Sequence, residues 1–455
     1  MASTSITRSI SSTSAIKKFT LSMWVKRGGL GSYQRMFGSD GGTGDTYFRF
    51  QNNDAIEWSG HASDATAAGL LTTSRLFRDT SAWYHFVIKV DTTQSTASDR
   101  LKFWVNGVLE TAFSAETMPN QDVTDNIVNT SKTHRISGTS SAQYLDGSIA
   151  HFHFTQGYAY DASTFGEFDS TSGIWKPKTA PSVTYGTNGF FLKFENSGNM
   201  DLDSSGNNLT FSTSGTLTQN VDTPTNNYAT LNPLARDHSD TASLTNGNLT
   251  HSLSNYSLNA RSSLAMTAGK WYWEFKQSAV NNRAGMCTSG FNPNLDTDDT
   301  NAYSGHATGR GGVYNMNTGA GTSWQRTNND TSKNVDTPSG TALASGANDI
   351  ISCAMDVGTG KFHVAVNGTW LNSGNPATGA NPQITLTNSS GDPLHVFSGF
   401  NTSNAMTTHF NFGSGYFGTT AVASANADGN GHGAFEYAVP SGFYALNSKN
   451  LKEFG

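Results

Sequence analysis

The sequence predicts an all-β protein built as two tandem antiparallel β-sandwiches, and three observations carry that expectation. One strand-and-turn signature occurs twice, as LKFWVNGVLE at 101–110 and GKFHVAVNGTW at 360–370, each in its own aromatic-rich neighbourhood. Short runs of alternating apolar residues recur along the chain between turns of Gly, Asn and Asp. Composition is the third. Aromatics make up 11% of the 455 residues beside 47 glycines, whereas disordered chains are poor in aromatics, so this chain folds. Abundant Ser, Thr, Asn and Gly with little Lys and Glu suit polar turns between strands rather than helices.

In each signature the apolar residues alternate into an Asn-Gly pair: Leu101, Phe103 and Val105, then Phe362, Val364 and Val366. A period of two marks a half-buried strand, and Asn-Gly supplies the two positive-φ positions of a type I′ hairpin turn.

In chain order, residues 1–17 are Ser/Thr-rich with little apolar content and read as an arm, flexible or ordered by a neighbouring subunit. A first sandwich is expected over 18–225. FTLSMWVKR sets Phe19, Leu21, Met23 and Val25 on one face, and WYHFVIKVD sets Tyr84, Phe86, Ile88 and Val90. DGSIAHFHF adds Ala150, Phe152 and Phe154, and NGFFLKFE adds Phe190, Leu192 and Phe194. Segment 196–227 loses hydrophobicity and ends near Asp-Thr-Pro, which marks a boundary around 225. A second sandwich is expected over 226–455, with a C-terminal extension. Its strands include GKWYWEFK (Trp271, Trp273, Phe275), NDIISCAMDV (Ile351, Cys353, Met355) and MTTHFNFG (Phe410, Phe412). Between them, 291–347 reads as a long polar loop region, of a length uncommon unless it binds something or packs on a partner.

These motifs carry a resemblance. Residues ~18–225 resemble the concanavalin A-like/laminin-G jelly roll, through FTLSMWVKR, WYHFVIKVD, FWVNGVLE, DGSIAHFHF and FLKFENSGNMDLDSSGNN. Residues ~228–455 resemble a SPRY domain, through GKWYWEFK, NDIISCAMDVGTGKFHVAVNG and HFNFG. The pairing, with DTPTNNYATLNPL at 222–234 and FEYAVPSGFYALNSKNL at 435–451, resembles virion proteins of tailed phages, especially those of marine bacteria. The resemblance implies a non-enzymatic particle component: a tail fibre, an appendage or a capsid decoration. It also implies one glycan-binding and one protein-binding surface. The expected partners are other virion proteins and a host-surface glycan, and the expected assembly is a homo-oligomer, with a trimer favoured.

Several classes are disfavoured. The formal net charge of −6 comes with no Lys/Arg cluster, so no nucleic-acid footprint is expected. No apolar run approaches ~18 residues, so no membrane span is expected. The N-terminal MASTSITRSISSTSAIKKF lacks the apolar region of a secretory signal, and a virion made in host cytoplasm reconciles this with an extracellular style of composition. Cys287 and Cys353 read as reduced and buried, with a disulfide between neighbouring strands as the alternative.

Catalysis finds little support. Jelly rolls that cleave glycans need two carboxylates about the scissile bond. The nearest match to the Glu-x-Asp-x-x-Glu pattern is GEFDSTSG, with Glu167 and Asp169 but Ser172 in place of the second Glu, so a solvated acidic turn is the simpler account. His151 and His153 share a strand face without a third metal ligand, and they are expected, like His85, on a polar outer face. DLDSSGNN spaces Asp201, Asp203, Ser205 and Asn207 as a calcium loop does, but Asx side chains make such turns without metal. No cofactor is expected, and calcium stays open. Recognition then falls to loop aromatics beside polar residues: Trp58 near Asn53, Asp54 and Glu57, and Tyr314, Trp324 and Arg326 within 291–347.

Overall fold

The computed structural model describes residues 4–41, 44–60, 69–236, 242–253, 260–279, 282–289, 313–317, 324–327, 345–385, 393–400 and 406–455. The chain is nearly all-β and forms two compact units, Met1–Gln219 and Asn220–Gly455. Among the described residues, no helix is long and apolar enough to cross a membrane.

The first unit is two antiparallel sheets with its main core between them. One has eight strands, in spatial order Phe113–Thr117, Leu70–Leu76, Ala55–Ser59, Thr46–Phe50, Gln34–Asp40, Thr133–Ile136, Ser5–Ser9 and Ser212–Ser214. The other has six: Phe190–Leu192, Gly147–Gln156, Lys18–Arg27, Trp83–Asp91, Leu101–Val105 and Val108–Leu109. Alternation sends Phe19, Leu21, Phe86, Ile88, Phe103, Phe152 and Phe154 inward. Phe48 of the eight-stranded sheet meets Phe86 and Phe103 of the six-stranded one edge-on, both at 5.8 Å.

Two expectations for this unit are corrected. Residues 4–17 are not a free arm: Ser5–Ser9 pairs with Thr133–Ile136 on one side and Ser212–Ser214 on the other. Ile6, Ile10 and Ile16 are buried in the core. Full burial of an Ile stabilises by roughly 1.5–3 kcal/mol, so three widely spaced isoleucines anchor a segment whose average composition looks polar.

The outer face of the six-stranded sheet is also not a polar surface. Trp24, Trp83, Val87 and Trp104 point away from the main core, and Ala162, Phe165 and Trp175 cover them. His85 and His153 are therefore buried. His153 Nδ1 lies 2.8 Å from the Tyr185 hydroxyl, and its ring stacks on Phe191 at 3.9 Å.

In the second unit a six-stranded sheet runs Leu231–Arg236, Ala260–Met266, Leu394–Phe400, Asn282–Thr288, Val313–Asn317, Trp324–Thr327. A nine-stranded sheet follows the path Ala242–Thr245, Thr250–Leu253, Met406–Asn411, Lys270–Gln277, Ile350–Asp356, Lys361–Val366, Thr369–Trp370. Ile384–Thr385 pairs with Lys361–Val366, and Tyr444–Ala445 lies parallel to Lys270–Gln277. Trp271, Trp273, Phe275, Phe362 and Phe410 meet Met286, Leu394 and Val396 in the core. Region 291–347 is not all loop, since Val313–Asn317 and Trp324–Thr327 pair as antiparallel strands at the sheet edge. Most of the rest of that region lies outside the described residues.

The C-terminal segment adds a second apolar layer here too: Phe435, Phe443 and Ala445 pack with Tyr228, Tyr272 and Ala354. A seven-residue helix, Ser448–Phe454, closes the chain, with Asn447 capping it by accepting from the Asn450 amide.

Both Asn-Gly pairs turn as expected. Asn106 and Gly107 have φ of 49° and 79°, and Asn367 and Gly368 have 46° and 79°. Each Asn side chain also accepts a backbone N–H from the strand next to the hairpin, from His85 at 2.7 Å and from Ile350 at 3.0 Å. Cys287 and Cys353 are buried free thiols.

Candidate functional site

The most chemically loaded surface is the outer face of the eight-stranded sheet in the first unit. In Thr46–Phe50 the phenylalanines 48 and 50 go to the core, so Tyr47 and Arg49 face outward. Arg49 sits opposite Glu57 on one side and Arg35 on the other. A bulge after Arg35 turns both Met36 and Phe37 inward and re-aims the strand, so that Gly38 lies opposite Tyr47 and Arg135.

These side chains stack. The Arg49 guanidinium lies between two rings, 4.5 Å from the centre of Tyr33 and 4.4 Å from that of Tyr47. Arg35 takes the next place, 5.0 Å from the Tyr47 centre. The result is a ladder of ring, guanidinium, ring, guanidinium, with Tyr33 at its open end and 39% exposed. Arg35 reaches across Gly38 to Asp40; a Cβ on Gly38 would stand 3.0 Å from the Arg35 Nη1 and 2.9 Å from Asp40.

Two carboxylates fix the ladder. Glu57 Oε2 accepts from Arg49 Nε at 2.7 Å, and Oε1 accepts from the Tyr47 hydroxyl at 3.3 Å. Asp40 accepts from Arg35 and, at 3.2 Å, from Arg135 Nε, whose Nη1 also donates to Ser5 Oγ at 3.2 Å. Burial lifts the Asp40 carboxyl above its ordinary range, against the pull of Arg35 and Arg135. Burial likewise raises the Tyr47 phenol, with Glu57 adding to the effect.

Such a face offers the open ring of Tyr33 beside the part-exposed guanidinium donors of Arg49 and Arg135, with Arg35 and Glu57 buried beneath. It can stack on and hydrogen-bond a polyhydroxylated ligand. It is poorly arranged for hydrolysis. By register Asp40 and Glu57 stand two strands apart and about four residues along, roughly 16 Å between backbones, and each is tied to arginine.

Of the expected ligand residues, Trp58 requires correction. It lies in Ala55–Ser59 with its ring fully buried, 5.8 Å from Phe19 and 6.4 Å from Phe48. Period-two alternation puts Trp58 inward and its neighbour Glu57 outward, so the acid, not the indole, reaches the surface. Tyr314 and Arg326 are opposite each other in register, and Trp324 stands two residues away on the same strand as Arg326. The side chains of those three residues lie outside the described residues. Sequence reasoning looked to loops and missed Tyr33, Arg35, Tyr47 and Arg49. The signal was the alternation in TYFRF, where two Phe claim the core and leave Tyr and Arg outside.

Other motifs resolve into structure. Glu167 and Asp169 flank an exposed hairpin, where Asp169 accepts from the Thr171 and Ser172 amides and pairs with Lys176 at 3.0 Å. Asp203 accepts from the amides of Phe191, Ser205 and Leu209 and from Ser205 Oγ, which spends both oxygens on its own turn and the strand Phe190–Leu192 beside it. Asn207 donates to the Gly186 and Gly189 carbonyls. Hydroxyl–imidazole pairs recur, as Ser22–His85, Thr250–His409, Ser398–His251 and Ser289–His395. Two of them, Ser22–His85 and Ser398–His251, are wholly buried, which marks the pair as a packing device of this protein. No group of three or more metal-binding side chains occurs among the described residues.

No curated protein matches the chain. Among solved structures, the SPRY domain of human HERC1 is similar at 15% identity and a TM-score of 0.27, covering 40% of this chain and 96% of that one. A putative carbohydrate binding protein from Bacteroides ovatus is similar at 12% identity and 0.30, covering 47% of this chain and 56% of that one. Domains LG4-5 of the mouse laminin alpha1 chain are similar at 9% and 0.25, covering 86% and 79%. Residues 3–158, within the first unit, match the family described as the concanavalin A-like lectin/glucanases superfamily.

Proposed function

We propose that this chain is a non-enzymatic saccharide-binding component of a phage particle, and that the saccharide lies on the outer face of the eight-stranded sheet. The observation that carries the binding reading is the Tyr33–Arg49–Tyr47–Arg35 ladder with its open aromatic end. The lectin/glucanase match over residues 3–158 supports it, because that match spans the strands bearing all four residues.

The test is binding of purified protein to host cells and to a panel of surface polysaccharides. Saturable binding with the polymer left uncut is expected. Tyr33→Ala should weaken it about five- to tenfold, the loss of one aromatic stacking contact of ~1 kcal/mol or slightly more. New reducing ends would point instead to a depolymerase, and no binding at all would point to a purely architectural role.

The particle assignment rests on the resemblance at 222–234 and 435–451. Antibody labelling of intact virions tests it, and unlabelled particles would end it. A trimer is the assembly we propose, and a monomeric mass in solution together with no multimer in particles would rule it out. Tyr314, Trp324 and Arg326 stay candidates for a contact made by the second unit.

A further inference from the structure

We infer that the saccharide taken by this face is acidic, a polymer bearing carboxylates such as a polyuronate. The inference rests on the saccharide-binding reading and adds the ligand's charge.

It follows from the accounting of charge and donors on the ladder. The ladder holds three guanidinia, the buried Arg35 and the part-exposed Arg49 and Arg135, against two carboxylates, Asp40 and the buried Glu57. Asp45 lies close enough to raise Asp40, and Lys132 lies beside both but acts first on the buried Asp125. Arg75 and Glu110 form a pair of their own. Four cations, Arg35, Arg49, Arg135 and Lys132, thus stand against four carboxyls, Asp40, Glu57, Asp45 and Asp125, and the face is close to neutral on a chain whose formal net charge is −6.

The guanidinia are also underspent. Arg49 uses Nε on Glu57 and one Nη2 hydrogen on the Tyr47 hydroxyl at 3.5 Å, and its Nη1 has no partner among the described residues. Arg135 uses Nε and Nη1, and its Nη2 has none. A neutral sugar hydroxyl accepts singly. A carboxylate accepts two parallel N–H bonds from a planar fork, and each bond is strengthened by the opposite charges. Rings hold Arg49 on both sides, so little side-chain freedom is lost when a carboxylate docks.

The experiment compares retention of the full chain on polygalacturonate, dextran and dextran sulfate, at low salt and at about 0.5 M NaCl. Polygalacturonate should bind at least tenfold more tightly than dextran at low salt, and the advantage should shrink with salt as charges are screened. Arg49→Gln should remove most of that advantage, while Arg49→Lys, which keeps charge without the fork, should restore only part. Melting curves should show both variants folded at the assay temperature, with Arg49→Gln melting lower because Glu57 loses its ionic partner, which separates ligand loss from misfolding.

Equal binding of polygalacturonate and dextran, with both lost in Tyr33→Ala, would overturn the acidic assignment and leave the saccharide reading standing. Equal binding of dextran sulfate and polygalacturonate would overturn the carboxylate assignment in favour of unspecific charge attraction. Binding of none of the three polymers, with host-cell polysaccharides also unbound, would overturn both readings.

Discussion

Trp175 donates its indole N–H to Nδ1 of His85 at 2.9 Å, joining the covering layer of the first unit to its six-stranded sheet. The bond makes Nδ1 the acceptor, so the neutral ring carries its proton on Nε2, which faces Ser22 Oγ at 2.9 Å. Both ring nitrogens are satisfied only while the imidazole is neutral with that tautomer. Burial holds it so, drawing the His85 pKa down to about 3.

Trp175→Phe is expected to keep the ring's bulk and strand His85 Nδ1 in the interior. An unsatisfied buried acceptor costs about 1–3 kcal/mol, so the first unit should unfold at visibly lower denaturant. Gly166→Ala attacks the same contact by sterics, because its Cβ would stand 2.5 Å from the Trp175 ring. Denaturation followed by tryptophan fluorescence checks both, and wild-type midpoints would show that the covering layer is dispensable.

Acidification should loosen the first unit. His134 is also drawn down to about 3 and His153 well below its ordinary value, all by burial. Unfolded, these rings take up protons near pH 6.5; folded, they do not. The unfolded state then binds more protons, so stability is full above pH ~6.5 and is lost as pH falls toward 3. Asp125 works in the opposite direction. Burial pushes it up to about 7, and its contribution is present at low pH and lost as pH rises through that value. Three imidazoles outweigh one carboxyl. Amide exchange across Trp83–Asp91 should therefore speed up from pH 6.5 to 4.5 after correction for intrinsic rates, and unchanged protection would contradict this account.

Glu274 fastens the C-terminal segment to the nine-stranded sheet of the second unit. Its Oε1 accepts from the Tyr272 hydroxyl at 2.8 Å and the Tyr437 amide at 2.9 Å. Its Oε2 accepts from the Glu436 amide at 2.9 Å and from Asn411 Nδ2 at 3.3 Å. Glu274→Gln turns one acceptor into a donor facing donors, and should cost about 1–3 kcal/mol. Faster amide exchange at Glu436 and Tyr437, ahead of any change in Trp271–Phe275, is the expected signature.

The Asp203 turn is self-sufficient, so a chelator should leave the melting temperature of the first unit unchanged. Asp203→Ala, which frees three amides and a hydroxyl, should lower it by several degrees. A downward shift on chelation, reversed by calcium, would mean that the turn holds a metal.

Alternation was enough to orient most strands: Phe19, Phe86, Phe103, Trp273 and Phe410 all point where a period of two sends them. It failed where a strand is buried on both faces. WYHFVIKVD looks half-polar, yet His85 lies under Trp175, a cover supplied by a residue 90 positions away in the chain. The candidate site was half legible. Glu57 was noticed beside Trp58, but the partners that give it meaning, Tyr47 and Arg49, come from the next strand and are brought opposite it by register.

Local sequence is enough for the β class, the two hairpins turned by Asn106-Gly107 and Asn367-Gly368, and the inward faces of the regular strands. These depend on local backbone preference and on side-chain period, which neighbouring residues settle among themselves. Tertiary structure alone decided that Ile6, Ile10 and Ile16 anchor the first segment, that second apolar layers cover one sheet in each unit, and that Tyr33, Arg49, Tyr47 and Arg35 stack. Each of those follows from strand order and register, which bring together residues distant in sequence, and no local rule encodes which distant strand becomes a neighbour.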